Sequence, residues 1–288
     1  MVGPLAYGCW RFVDPDVRVA RQIIEGALAA GMRLIDTADI YGYRPDGTSF
    51  GASEAILGAV LKDAPQLRDQ MVLATKGGIW PGVPYDSSDA YLRSALDASR
   101  RRLGVDVIDL YQIHRPDLFV HPRMLAASLT SMVASGAIRF VGVSNFTVAQ
   151  TEALAAELSF PLATIQPEIS PATLTPMRDG TFDWAMRHDV LPLAWSPLAG
   201  GALGDTAASS DRAPAALLDV LDGLARRESV DRSAIALAFV LAHPSRPVAI
   251  IGTQRPHRIA AATQALAVRL DRSDCYSIIQ ASEGVPLP

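Results

Sequence analysis

Short apolar or β-branched runs alternate along the chain with longer stretches whose apolar residues recur at helical spacing. LAYGCW at 5–10 precedes an amphipathic stretch from Asp16 to Ala30, and RLID at 33–36 precedes Ser53 to Leu61. MVLAT at 71–75 precedes Ser88 to Leu103, and VIDLYQI at 107–113 precedes Pro122 to Ala134. The same order continues with AIRFVGV before Val148 to Glu157 and LATIQ before Phe182 to His188. VLPLAW leads into two helical stretches, Ala215 to Arg227 and Arg232 to Ala242, and PVAII leads into Pro256 to Val268. Mainly apolar runs without strict polar alternation, each followed by a helix, imply parallel strands covered on both faces. Eight such units in 288 residues predict an α/β fold, a (β/α)8 TIM barrel occupying 1–288 as a single domain. Gly, Ala and Ser crowd the stretch from Leu198 to Arg212, which reads as a long loop after the seventh strand.

Composition narrows the class without changing that picture. Hydrophobic residues make up 49% of the chain and charged residues 19%, which suits a buried interior and excludes general disorder. The net charge of −4 provides no basic field for nucleic acid. The longest purely apolar run, Ala234 to Ala242, has nine residues, short of the roughly 20 needed to span a bilayer. MVGPLAYGCW carries no basic region ahead of an apolar stretch, and the two cysteines, Cys9 and Cys275, make no disulfide framework. The expectation is a soluble cytoplasmic protein with no membrane or nucleic-acid partner. Its oligomeric state is left open.

In a barrel of this type the chemistry sits just beyond the C-terminal ends of the strands. There the chain places Asp36 and Tyr41 in DTADIYG, Lys76 after MVLAT, and His114 in HRPD. A tyrosine hydroxyl, with an ordinary pKa of about 10, donates a proton near neutrality only if a neighbouring cation stabilises its phenolate. Lys76 fits that part. It is one of two lysines in a chain where 24 of the 26 basic residues are arginine, and it directly follows an apolar strand. Asp36 would hold the ammonium charged, and His114 would orient a carbonyl.

With these four residues in their motifs, the chain resembles the aldo-keto reductases over nearly its whole length. The resemblance implies NAD(P)H-dependent reduction of aldehydes or ketones, with a small-molecule carbonyl compound as the partner. Asp36, Tyr41, Lys76 and His114 match the family's catalytic tetrad one by one. SGAIRFVGVSNF, at 135–146, is similar to the second family signature and carries over Ser144 and Asn145 as ligands of the nicotinamide carboxamide. Gln166 in IQPEIS completes that contact. AWSPLAGGAL resembles the segment after the seventh strand, implying Trp195 against the nicotinamide face opposite a 4-pro-R transfer, with Ser196 and Leu198 beside the cofactor. Trp stands here where many members have Tyr, as in a bacterial branch of the superfamily.

After the eighth strand, Gly252, Thr253, Arg255 and Arg258 fall at the family's 2′-phosphate positions, which implies NADPH and leaves NADH open. A lysine common there is replaced by Gly252, and an adenine-gripping Glu-Asn pair by Ala261 and Ala262. A guanidinium at Arg255 can pair with phosphate in the lysine's place. The tail after Leu270 reads as short, and little room is left before the first strand for the family's N-terminal hairpin. The substrate pocket is therefore expected to be open, framed by Trp10, Trp80 and the 198–212 loop.

Three other enzyme readings are weaker. AGGALG at 199–204 fails as a dinucleotide glycine motif at Ala199, and GVSNF has Phe146 where a nucleophile elbow needs glycine. A metal-dependent barrel hydrolase using Asp36, His114 and Glu168 would place Lys76 against its metal, so no metal is expected. A cofactor-sensing subunit with little turnover is the alternative from another class.

Overall fold

The computed structural model of the protein describes residues 2–12 and 16–286. Eight parallel strands close in chain order into a barrel: β1 (Leu5–Gly8), β2 (Leu34–Asp36), β3 (Val72–Gly77), β4 (Ile108–Ile113), β5 (Ile138–Ser144), β6 (Thr164–Gln166), β7 (Leu191–Ala194) and β8 (Val248–Ile251). Around it run α1 (Val17–Ala29), α2 (Ala52–Asp63), α3 (Asp89–Leu103), α4 (Pro122–Ala134), α5 (Val148–Ala155), α6 (Thr181–Arg187), α7 (Ala215–Glu228), α8 (Arg232–Leu241), α9 (Pro256–Ala261) and α10 (Arg272–Glu283). Every strand read from the sequence is present in its expected order. Among the described residues no helix is long and apolar enough to cross a membrane.

Strand alternation divides the apolar residues into two cores. Ala6, Leu34, Ala74, Leu110, Leu193, Val248 and Ile250 fill the barrel, while residues of opposite parity, such as Tyr7, Ile35, Leu73, Tyr111 and Val143, pack under the helices. The inward parity carries on to Asp36, Lys76 and Gln112 at the C-terminal ends of their strands. Helix boundaries follow local chemistry. Ser88 caps α3 by accepting from the Tyr91 N–H, and Gly104 ends it in the left-handed conformation.

Behind the site, Glu54 of α2 is wholly buried and ion-paired with Arg102 of α3 at 2.6 Å, and it accepts from the Thr75 hydroxyl of β3 at 2.5 Å. This pair ties two helices to the strand that carries Lys76. The helices can approach so closely because Gly58 faces the Arg102 carbonyl with no side chain between them. Gly58→Ala is therefore expected to destabilise the protein by about 1–3 kcal/mol, because overpacking against backbone outweighs the helix propensity of alanine. Chemical denaturation of the purified variant measures this, and an unchanged midpoint would show that α2 shifts freely.

Three expectations need correction. β1 ends at Gly8, and Cys9–Arg11 form a 3-10 turn, so Trp10 lies beyond the strand. The helix expected over Pro256 to Val268 stops at Ala261 and tightens into a 3-10 turn at Ala262–Leu266, where the Thr263 hydroxyl donates to the Ala260 carbonyl. The tail after Leu270, read only as short and given no element, folds as the 12-residue helix α10. It is capped by Asp271 and Asp274, and it is bound to α7 by two Arg227–Asp274 contacts of 2.6 and 2.7 Å.

Candidate active site

The ends of β2, β3 and β4 bring Asp36, Lys76 and His114 together, and the loop after β2 returns Tyr41 to them. That loop folds back through a Tyr41 N–H to Ala38 carbonyl bond, and the Tyr41 carbonyl accepts from the Ser53 N–H at the start of α2. Lys76 is wholly buried, and its ammonium has three acceptors: Asp36 Oδ2 at 2.6 Å, the Thr37 carbonyl at 2.9 Å and the Tyr41 hydroxyl at 3.1 Å. An ammonium has three N–H donors, so none is left over.

Charge is distributed unevenly over the four groups. Burial alone would lower the Lys76 pKa, but Asp36 and Tyr41 outweigh it and hold the ammonium above its ordinary value. Burial raises the Tyr41 phenol, and the Lys76 charge pulls against that rise. Burial, reinforced by Lys76 and Arg115, drives His114 well below the usual imidazole range, so it stands neutral at neutral pH. Its ring meets Tyr41 edge-on, with centroids 5.6 Å apart. Nδ1 of His114 is buried with no hydrogen-bond partner among the described residues.

Two residues that the sequence reading did not single out complete the Asp36 environment. Gln112, wholly buried on β4, donates from Nε2 to Asp36 Oδ1 at 3.2 Å, and the Thr37 carbonyl holds Lys76. Gln166 also donates to Asp36 Oδ1, at 3.1 Å. The signal for Gln112 was available in the sequence as an amide within a largely apolar strand, two residues before His114 and hence on the same face.

The ends of β5 to β7 gather the remaining polar groups. The Ser144 hydroxyl donates to the Gln166 carbonyl at 3.0 Å, and Asn145 Nδ2 donates to Ser144 Oγ at 2.8 Å and the His114 carbonyl at 3.2 Å. Asn145 Oδ1 accepts from the half-buried Trp195 indole at 3.1 Å. Asn145, Ser196 and Ala199 all have positive φ, between 50° and 60°, an unusual concentration of non-glycine left-handed residues on one rim. Ser196 Oγ accepts from the Gly200 N–H at 2.8 Å, and the partly buried Leu198 packs on the core.

Beyond β8, Gly252 and Thr253 are partly exposed, and Thr253 Oγ1 accepts from the Arg255 N–H at 3.3 Å. The exposed side chains of Arg255 and Arg258 make no ion pair among the described residues.

A cavity of about 730 Å³ is lined by Ile40 and Arg115, the chain neighbours of Tyr41 and His114, and by Tyr43, Ile79, Trp80 and Tyr85 among others. Trp80 is held there by Phe50 and Tyr91, with ring centroids 5.6 and 5.8 Å away. Trp10, 62% exposed, lies outside this cavity, as does the 198–212 loop. A second cavity, of about 430 Å³, is lined by Arg68, Met71, Asp106 and Arg139 and contains none of these groups. The carboxylates that a metal site would need are engaged elsewhere: Glu168 is ion-paired with Arg212 at 2.7 Å, and Asp36 with Lys76.

The arrangement matches known proteins in both sequence and fold. The Aldo/keto reductase family model matches residues 4–283. A 6-dehydroglucose reductase from Novosphingobium aromaticivorans is 47% identical over 290 residues, covering 100% of this chain and 94% of that protein. Another protein of that name, from Agrobacterium fabrum, is 34% identical, covering 95% of this chain and 92% of its own length. The solved structure of a glycerol dehydrogenase from Gluconobacter oxydans superimposes with a TM-score of 0.85 at 28% identity, covering 100% of this chain and 94% of that one. With the family model spanning the whole barrel and such relatives matching nearly end to end, the chain belongs to the aldo/keto reductase family of oxidoreductases.

Proposed function

We propose that the protein reduces the aldehyde of a sugar, of the kind named for its 6-dehydroglucose reductase relatives, using NADPH, with Tyr41 as the proton donor. The observation that carries this reading is the Lys76 ammonium shared between Asp36 Oδ2 and the Tyr41 hydroxyl. Tyr41 gives its proton to the carbonyl oxygen, and the phenolate left behind is stabilised by Lys76 next to it. Asp36 keeps Lys76 protonated and in place. His114, neutral, directs one ring N–H at the carbonyl oxygen and fixes its approach. Aromatic faces at Trp80, Tyr43 and Tyr85 suit the C–H faces of a sugar ring, and the Arg115 guanidinium, with no ion pair among the described residues, suits its hydroxyls.

When bound, the reduced nicotinamide supplies a hydride to the carbonyl carbon. The residues present fit such a group: Ser144, Asn145 and Gln166 offer hydroxyl and amide atoms at adjacent strand ends for a carboxamide, and the half-buried Trp195 offers a ring face. Thr253, Arg255 and Arg258, with Gly252, Ser196 and Leu198 alongside, would hold the phosphate-bearing portion.

Titration with NADPH and then NADH, followed by quenching of tryptophan fluorescence, tests the cofactor half of the reading, and cofactor consumption with 6-dehydroglucose tests the substrate half. Arg258→Ala is expected to weaken NADPH by about 10- to 100-fold through loss of a charge-assisted contact, while NADH binding stays as it was. Equal losses for the two cofactors would remove Arg258 from phosphate recognition. Binding of neither cofactor by the unaltered protein would overturn the reading.

A further inference from the structure

Gln112 has no exposed surface, and a buried amide is costly unless its polar atoms are satisfied. Two of its three partners, Asp36 and Gln166, belong to the site, and the third is the buried Thr164 at the start of β6. Nε2 donates to Asp36 Oδ1 at 3.2 Å, while Oε1 accepts from the Thr164 hydroxyl at 3.3 Å and from Gln166 Nε2 at 3.4 Å. The amide has one workable orientation, because reversing it would set its oxygen against a carboxylate that only accepts. Gln166 Nε2 is thus shared between Asp36 Oδ1, at 3.1 Å, and Gln112 Oε1.

We propose that Gln112 is a positioning residue for the reaction. It holds Asp36 Oδ1 independently of Gln166, so that the Gln166 amide can serve the cofactor carboxamide without loosening the Asp36, Lys76 and Tyr41 chain. The inference rests on the assignment of Gln166 to the cofactor made above. Without Gln112, one amide would have to satisfy both the carboxylate and the cofactor, and each contact would be made at the expense of the other. The electrostatic consequence has a definite sign. A hydrogen bond to Asp36 Oδ1 disperses its negative charge, and losing it leaves more of that charge directed at Lys76 and, beyond it, Tyr41. The phenol becomes a weaker acid. The titratable groups that face Asp36 are Lys76 from β3, Tyr41 from the loop after β2 and Cys9 from the turn after β1. The neutral His114 and the charged Arg115 follow Gln112 along the chain.

Two variants test the proposal. Gln112→Leu is expected to lower kcat by about tenfold or more, as befits loss of a hydrogen bond to a charged group, with KM for the carbonyl substrate nearly unchanged. Its Kd for NADPH rises several-fold, and that rise is absent when Gln166→Ala is already in place. Gln112→Glu keeps the shape, and its acid form can donate to Asp36 while its ionised form repels it. Its kcat relative to the unaltered enzyme therefore climbs as pH falls, a response that a packing role would not give. Wild-type kcat and Kd in Gln112→Leu would overturn the proposal, as would Kd losses that simply add to those of Gln166→Ala. A Gln112→Glu deficit equal at every pH would do the same, and it decides the matter if the leucine variant does not fold. Failure of the unaltered protein to bind NADPH would instead bring down the Gln166 assignment, so the two failures are distinguishable.

Discussion

Lys76→Met is expected to cost about 3–5 kcal/mol of stability, because it leaves Asp36 charged and buried without its partner. Turnover should fall by at least roughly 10², since the cation beside Tyr41 is gone. The two losses have different origins and can be separated. In Asp36→Asn/Lys76→Met the unpaired charge disappears, while the asparagine oxygen still accepts from Gln112 and Gln166. Stability should then recover most of what the single variant lost, with activity still absent. Denaturation curves and turnover measured on the same preparations give both numbers. A double variant as unstable as the single one would place the cost in lost hydrogen bonding rather than in the isolated carboxylate, and a single variant that turns over normally would remove Lys76 from the mechanism. The pH dependence follows from the raised Lys76 pKa. The contribution of Lys76 to folding is complete below its unfolded value of about 10.4 and is lost as pH rises through the higher folded value.

Tyr41→Phe should leave the fold and the cofactor titration close to those of the unaltered protein and lower kcat by roughly 10²–10⁴, the usual range for a positioned acid. Tyr41 keeps part of its surface open, and its hydroxyl is one of three acceptors on Lys76, so removing it leaves the Asp36 and Thr37 contacts in place. Neutral His114 cannot substitute, because burial and the nearby cations deny it the acidic imidazolium proton near neutrality, and the N–H that remains on the neutral ring donates a hydrogen bond without being acidic enough to give up its proton. Near-normal carbonyl reduction by the phenylalanine variant would end the tyrosine assignment.

The barrel was legible because its strands are buried on both faces. Even the three-residue strands β2 (Leu-Ile-Asp) and β6 (Thr-Ile-Gln) are buried at every position, and each lies in a short apolar or β-branched segment that closes on the polar residue it delivers to the site. Asp36, Lys76 and His114 were legible for a related reason, since a strand end is where an apolar run yields to a charge. Helix α10 was not. Only Asp274 and Ile278 of its residues are buried, so its sequence shows almost no apolar stripe, and its capping box uses aspartate where glutamate or glutamine is the usual third-position signal. Gln112 and the second role of Gln166 escaped because an amide looks alike in sequence whether it faces a ligand or a carboxylate. Only closure of the barrel, with Gln112 of β4 and Gln166 of β6 facing inward toward β2, brings the two amides to one aspartate.

The complete engagement of the Lys76 ammonium has a chemical consequence for a member of a carbonyl-reducing family, should its substrate be the aldehyde proposed above. Imine formation needs an amine lone pair, and a buried ammonium held above its ordinary pKa, with all three N–H bonds directed at oxygen, offers none. An aldehyde can thus meet Tyr41 beside a lysine without being trapped as a Schiff base. The other lysine of the chain, Lys62, is exposed on α2, and the remaining basic side chains are guanidinium groups, so Lys62 is the one lysine open to covalent capture by the aldehydes the site attracts.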